Sequence, residues 1–415
     1  MPGKRKANEQ RPIPARQAML KVIKRLRRFD YEALLAGGCV RDMLLGQTPK
    51  DYDVATNAAP ETVVRLFPRT LTVGAQFGVV MVLIGGRQVE VATFRSDVSY
   101  RDGRRPAKVV FTEARADAER RDFTINGMFF DPLAEKVIDY VGGQEDLRTG
   151  VIRAIGDPEA RFAEDHLRML RAIRFAGRFD FPIEKHTWQA LIKYAPKIKR
   201  VSPERIAIEL EHILVDPNRA RGMQMAYESG LLAPILVSVE PRRLEFGIEI
   251  LGRLPVRCSF ALALAALLAE CEARNVGQTC RDLRVSNDLR KQIRWLVDNR
   301  ARFLENIPVT RGHLKKWLAE PLFEPLILLT RCYLKAKGQS LAPLRRLRRQ
   351  IKELGDEPIA PPRLLDGHEL IRLGATPGPM VGQLAEELYL AQLENQVQTK
   401  TQARQWVKNW LSKHR

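Results

Sequence analysis

The hydrophobic period of this chain changes once, near Gly150, and that change sets what it can fold into. From about Tyr31 to Tyr140, apolar residues come in short β-branched runs punctuated by glycine. The run LTVGAQFGVVMVLIGGRQVEVATF (71–94) predicts two strands joined by a Gly85-Gly86 hairpin turn, because tight hairpin turns need positive φ. Pro60 opens a short predicted helix to Phe67, and Met19, Val22, Ile23 and Leu26 share one helical face over 15–28. The polar stretch SDVSYRDGRRPAK (96–108), with its Asp102-Gly103 pair, reads as a mobile loop. Beyond Gly150 the period becomes helical. AEDHLRMLRAIRFAGRF is amphipathic, and VSPERIAIELEHIL begins with Ser202 as N-cap and Pro203 at the first helical position. The expected class is therefore α+β: a head with a mixed sheet, followed by an elongated all-α remainder.

Composition narrows the function. At 415 residues there is room for two to four domains. The longest apolar stretch, 260–268, is too short to span a bilayer, so no membrane partner is expected. The first residues are basic and polar without an apolar core, so a secretory signal is not expected. A basic start also suits an organellar presequence or an RNA-binding arm, and both readings stay open for residues 1–14, a basic arm expected to be disordered. The five cysteines form no C-x-x-C pair or zinc spacing, which fits a cytoplasmic chain with reduced thiols. Sixty-nine Lys and Arg against 49 Asp and Glu leave a net charge of +20, which favours a polyanionic partner such as nucleic acid. The basic residues crowd residues 4–28, 161–178, the run Arg345, Arg346, Arg348, Arg349, and 400–415.

Three constellations carry chemistry. In GGCVRDMLLGQTPKDYDVA (37–55), Gly37 and Gly38 allow close backbone approach to a ligand, and Arg41 offers a forked donor for phosphate. On a strand, Asp51 and Asp53 would share a face about 6–7 Å apart and could hold hard cations together. A lone D-x-D is also common in turns, but with the glycines and Arg41 it suggests Mg²⁺, a triphosphate and phosphoryl transfer. In RRDFTIN (120–126), Arg121 suits triphosphate oxygens and Asn126 a ribose or a backbone bend; a helix cap with a salt bridge is an equal reading. In EDHLR (164–168), Glu164 and Asp165 precede Arg168, and at i, i+3 spacing Asp165 and Arg168 would lie side by side on one helix. Either they form an ordinary ion pair, or they read a base edge. Asp165 accepts and Arg168 donates, which matches the amino group and ring nitrogen of cytosine or adenine and opposes those of uracil or guanine. Arg171 and Arg174 extend the basic edge toward phosphates.

GGCVRDMLLG-x₄-DYD, RRDFTIN and EDHLRMLRAIRF, in this order, resemble the class II nucleotidyltransferases of the DNA polymerase β superfamily. That family comprises CCA-adding enzymes, split CC- and A-adding enzymes, and bacterial poly(A) polymerases. The resemblance implies a nucleotidyltransferase head (15–150), a neck with a base-selecting site (151–215), a body (216–356) and a tRNA-binding tail (357–415), the last opened by the Pro-rich EPIAPPR. It implies Mg²⁺ on Asp51 and Asp53, with Glu90, between Val89 and Val91, as the third carboxylate. It further implies nucleotide contacts from Gly38, Arg41, Arg121, Asp165, Arg168, Arg171 and Arg174. VGAQFGVVMV, the 96–108 loop and the tail sequence each resemble CCA-adding enzymes, whose activity is addition of C, C and A to tRNA from CTP and ATP. An A-adding enzyme, a poly(A) polymerase and a catalytically inactive RNA-binding relative are the alternatives. Oligomeric state is not legible.

Overall fold

A computed structural model describes residues 12–74, 78–100, 106–302 and 310–414. Most of the basic N-terminal arm and the Asp102-Gly103 pair therefore lie outside the described residues. The described chain forms two compact units. The first runs to Val237 and takes in Arg281–Arg284, and the second holds Ser238–Cys280 and the residues from Val285 onward.

Nine strands belong to the first unit: β1 (Ala33–Ala36), β2 (Asp53–Thr56), β3 (Thr70–Gly74), β4 (Val79–Ile84), β5 (Arg87–Thr93), β6 (Arg95–Tyr100), β7 (Pro106–Phe111), β8 (Phe129–Asp131) and β9 (Lys136–Ile138). Seven make one mixed sheet in the order β3-β4-β5-β2-β1-β8-β9, parallel only between β2 and β5. That register sets Asp53 beside Glu90 and Ala55 beside Ala92. Because side chains alternate along a strand, Asp53 and Ala55 share a face with Glu90 and Ala92, and Val54, Val89 and Val91 take the other.

The valine face is covered by helices α1 (Ala15–Arg27) and, after α2 (Gly38–Leu44), α3 (Pro60–Leu66). Helix α1 buries Ala18, Met19, Val22, Ile23 and Leu26 at the spacing its sequence predicts. On the opposite face, Leu34, Ala36, Ala55, Phe94 and Phe129 pack with Ala114 and Ala118 of α4 (Ala114–Glu119). Where this packing stops, toward the start of β2, the same face carries Asp53 and Glu90 instead.

Two expectations for the head need correction. The segment 71–94 holds parts of three strands rather than two, since Thr70 and Leu71 of β3 pair antiparallel with Val82 and Met81 of β4; the Gly85-Gly86 turn is present, both residues at positive φ. The expected loop at 96–108 is mostly the β6–β7 hairpin, paired antiparallel and separate from the main sheet. Val98, Tyr100, Val109 and Val110 carry strand propensity that the charged residues between them concealed.

Five helices then build the rest of the site: α5 (Gly143–Thr149), α6 (Pro158–Glu164), α7 (Arg168–Phe179), α8 (Lys185–Tyr194) and α9 (Pro203–Leu214). The expected single helix through EDHLR is broken. Asp165 is extended (φ −146°, ψ 104°), and its Oδ1 accepts the Leu167 N–H at 3.0 Å. A short acidic side chain that binds the backbone two residues on competes with helix continuation, so α6 ends at Glu164 and α7 starts at Arg168.

The second unit is helical among its described residues. Its centre is Phe260–Leu267, buried on every side and packed against Pro241–Leu251, Asn287–Asn299 and Phe323–Ala336. Toward the C-terminus, Leu365, Leu370, Leu384, Leu388, Val407 and Trp410 share a separate core, and two of its helices start with capping boxes, Asp366 with Glu369 and Thr399 with Gln402. No helix among the described residues is long and apolar enough to cross a membrane.

Gly247 lets Pro241–Leu251 approach the end of Phe260–Leu267 closely. A Cβ there would sit 2.1 Å from the Leu267 carbonyl oxygen, and backbone cannot swing away as a side chain can. Gly247→Ala is expected to destabilise this unit by roughly 1–3 kcal/mol, read as a lower urea midpoint; an unchanged midpoint would show that the two helices slide apart without cost.

Candidate active site

A cleft of about 940 Å³ opens in the first unit between the polar end of the sheet and helices α7 and α9. Gly37, Gly38, Asp53 and Glu90 line one side, and Asp165, Arg168, Arg171 and Arg174 line another, with Arg41, Arg121 and Asn126 between them. Of the residues singled out from sequence, Asp51 and Glu164 do not line it. Asp51 precedes β2 at an exposed bend, so the strand geometry expected for Asp51 and Asp53 is not what the backbone adopts; it faces a smaller cavity with Lys50, Tyr52 and Arg87. Glu164 closes α6 and pairs with Arg161 and Arg168.

Gly37 joins β1 to α2 with φ at 71°, a region side chains avoid, and a Cβ there would meet the Arg121 guanidinium at 2.7 Å. Arg121 approaches because Asp117 grips it through two bonds of 2.9 and 3.1 Å, while its remaining end donates to the Asn126 carbonyl at 3.3 Å. Burial would raise Asp117, but Arg121 and Arg120 outweigh it and hold the carboxyl below its ordinary range.

Arg41 is only 4% exposed and is held on every side. It donates to Asp42 at 2.7 and 2.9 Å and to Asn126 Oδ1 at 2.5 Å, and its guanidinium lies 5.3 and 4.7 Å from the Phe175 and Phe179 ring centres. Asn126 in turn donates to Asp122 Oδ1 at 3.0 Å, and Asp122 Oδ2 accepts from Arg171 at 2.8 Å. Arg171 and Arg174 face Glu209 of α9 at 3.6 and 3.3 Å, and Arg174 also stacks 4.6 Å from Phe175.

Asp165 and Arg168 meet the cleft together, and each is held by residues of other elements. Asp165 is clasped by Arg205 of α9, at 2.7 Å on one oxygen and 3.3 Å on the other. Arg168 donates to Glu164 at 2.5 Å and to the Arg161 and Arg120 carbonyls at 3.0 and 3.3 Å. The i, i+3 helical geometry expected for the two is replaced by a break between α6 and α7, and both side chains still line the cleft. Sequence reasoning missed Asp42, Asp117, Asp122, Arg178, Arg205 and Glu209. Asp122 lies inside RRDFTIN, and Arg205 and Glu209 are one turn apart in PERIAIEL, a spacing that puts them on one face without naming what that face meets.

The chain matches known families at this point of its sequence and over most of its length. Residues 33–153 match the family model "Poly A polymerase head domain", and residues 180–241 match "Probable RNA and SrmB- binding site of polymerase A". The CCA-adding enzyme of Anoxybacillus flavithermus is 33% identical over 400 residues, covering 94% of this chain and 96% of that protein. The chain belongs to the CCA-adding enzyme family. To the CCA-adding enzyme of Geobacillus sp. (strain WCH70) it is 43% identical over 216 residues, 52% of this chain, and this match spans about half of that relative (53%). The crystal structure of the Bacillus stearothermophilus CCA-adding enzyme in complex with CTP is similar at a TM-score of 0.78 and 28% identity, over 97% of this chain and 99% of that one.

The CCA-adding enzyme family implies a divalent metal, and the carboxylates offer a place for one. Burial raises Asp53, and Asp51 adds to the rise against the opposing pull of Arg121. Burial also raises Glu90, with Asp53 adding to it and Arg95 opposing. At both neighbouring carboxylates burial outweighs the pull of the nearby arginine, and a cation between them would add to that pull. Among the described residues no three acidic, histidine or cysteine side chains converge. Magnesium fits such a pair, since it is commonly held by one or two carboxylates together with substrate phosphates and water.

Asp122 is the electrostatic hinge of the cleft. Burial would raise it, but Arg171, the Asn126 amide and the Phe123 N–H bring it down to about 2. Its folded value lies below the unfolded 3.8, so its stabilisation is complete above about pH 4 and is lost as pH falls toward 2. Asp122→Asn should therefore remove about 2 kcal/mol at pH 7, and the gap between wild type and variant should close between pH 4 and 2 in urea titrations. A gap that does not depend on pH would exclude this charge as its source.

Proposed function

We propose that this protein is a CCA-adding enzyme, extending the 3′ end of tRNA by C, C and then A from CTP and ATP with release of pyrophosphate. The observation that carries the reading is the meeting, in one cleft, of the Asp53–Glu90 pair with the Asp165, Arg168, Arg171 and Arg174 wall. One end suits a metal-bound triphosphate and the other a base edge. A nucleic-acid template is not needed where side chains choose the base. The family relationship and the likeness to a CTP-bound relative support the same assignment.

In this reading the tRNA 3′-oxygen attacks the α-phosphate in line, a new P–O bond forms, and the bond to pyrophosphate breaks. Mg²⁺ held by Asp53 and Glu90 would activate the hydroxyl and offset charge on the departing pyrophosphate, while Asp51, outside the cleft, would act on the pair through its charge. Gly37 and Gly38 keep the end of β1 open to the phosphates, and Arg121, Arg171 and Arg174 supply fixed positive charge around them. Asp165 accepts from the amino group of cytosine or adenine, and Arg168 donates to the adjoining ring acceptor. Arg205 is a positioning residue: its two bonds to Asp165 fix the direction in which the remaining lone pairs point. Residues 15–150 serve as head, 151–215 as neck, 216–356 as body and 357–415 as tail, in a cytoplasmic enzyme.

Product length decides between the activities. With tRNAs ending before CCA, after C, and after CC, given CTP or ATP separately, a CCA-adding enzyme extends every stage. Extension of the CC end alone would mean A addition, and a long A tail would mean poly(A) polymerase. Asp53→Ala should lower incorporation by at least roughly a hundredfold, with tRNA affinity nearly unchanged. Arg205→Gln should narrow discrimination between CTP and UTP while leaving the KM for tRNA alone; intact discrimination would remove Arg205 from base selection.

A further inference from the structure

The second unit carries a basic helix that the cleft does not use. In Ala342–Glu353 (APLRRLRRQIKE), Leu344 and Leu347 are buried, and Arg345, Arg346, Arg348, Arg349 and Lys352 are exposed. Positions 345, 348, 349 and 352 follow the i, i+3, i+4, i+7 pattern of one helical stripe, which runs about 10 Å along the axis at roughly 1.5 Å per residue. None of these five cations has an ion-pair partner among the described residues. Elsewhere in this unit several basic side chains do: Arg253 pairs with Glu249, Lys316 with Glu386 and Arg311 with Glu357. The helix itself bears a single acidic residue, Glu353, at its last position.

Like charges three and four residues apart repel and weaken an isolated helix, so the stripe is a cost to folding with no internal compensation. A polyanion supplies the compensation. An anionic lipid surface would use such a charge pattern only if the apolar face were free to enter the membrane, and here Leu344 (6% exposed) and Leu347 (4%) are already packed into the unit. Arginine also favours phosphate, since its planar fork pairs two donors with phosphate oxygens.

We propose that Ala342–Glu353 is a docking ridge for the phosphate backbone of the RNA substrate, contributing affinity outside the catalytic cleft. The inference rests on the tRNA reading above. It assigns to this helix a sequence-independent contact, one that affects how tightly RNA is held and leaves the chemistry and the choice of nucleotide untouched.

The test replaces Arg345, Arg346, Arg348 and Arg349 together by Gln, a good helix former, and in a second variant by Lys, which keeps the charge. Wild type is first assayed for CTP and ATP incorporation, and its failure there would refute the tRNA reading rather than the ridge. For the Gln variant the expected result is a tRNA KM at least tenfold higher, with kcat and the KM for CTP unchanged. Its plot of log affinity against log salt should be shallower by about 2–3, given roughly 0.7–0.9 per phosphate contact. The Lys variant should retain most of the wild-type slope. An unchanged KM for tRNA and slope, or an equal loss in the Lys variant, would overturn the proposal. Binding of wild type to phosphatidylserine vesicles that the Gln variant loses, with tRNA affinity unmoved, would overturn it in favour of a lipid surface.

Discussion

Everything in the cleft leans on one buried carboxylate, Asp122. Its two oxygens face opposite ways, one accepting from Asn126 and Phe123 on the sheet side and the other from Arg171 on α7. Two folding elements that are far apart in sequence are thereby fixed to one another beside the cleft. Removing one partner from such a buried charged network costs more than an exposed pair would, because the remaining charge stays desolvated. The aromatic residues reinforce it. Phe123 meets Phe175 edge-on at 5.8 Å, Phe175 stacks with Phe179 at 6.2 Å, and Arg41, Arg171, Arg174 and Arg178 lie over these two rings. A row of guanidinium groups is tolerated there because each has a ring face and, in most cases, a carboxylate to offset its burial.

Carboxylates and arginines are also sorted along the cleft. Asp53 and Glu90 sit on the sheet with little to balance them, and burial holds both in the direction of the neutral acid. Arg174, on the opposite wall, is pushed the other way by its own burial, toward easier loss of its proton. Arg171 beside it is held the opposite way by Asp122, so the shortfall of negative charge on that wall lies at Arg174. A ligand that brings cation and polyanion together, such as a metal nucleoside triphosphate, satisfies both at once, whereas a neutral ligand satisfies neither.

Much of this was legible in the sequence, for reasons that differ by residue. The mixed head and helical remainder follow from the change of period at Gly150, whereas Glu90 was expected with Asp53 only through the family resemblance, because the β2–β5 register that sets them side by side joins segments distant in sequence. The errors arose where a side chain overrides a local rule. Asp165 binds its own backbone and breaks the helix on which an i, i+3 pairing depended, and Asp51 sits in a bend that the strand pattern does not reach. Arg205 and Glu209 could not be assigned because their partners lie on another helix, and contacts across helices leave no periodic trace in either one.

Arg41 shows how far a motif reading carries. In G-G-x-x-R it offers a donor fork beside two glycines, the pattern of a phosphate ligand. Folded, both ends of the fork are occupied by Asp42 and Asn126, and its exposed area is almost nil. Burial makes its proton easier to lose, while Asp42 opposes that, so the charge is retained by its partner rather than by water. Phosphate contact would require Asp42 or Asn126 to yield a donor. Asn126 is itself tied to Asp122, so any such movement is transmitted to Arg171 on the far wall. Arg41 therefore acts first as a strut between the strand–helix turn that follows Gly37 and helix α7, whose Phe175 and Phe179 rings it covers.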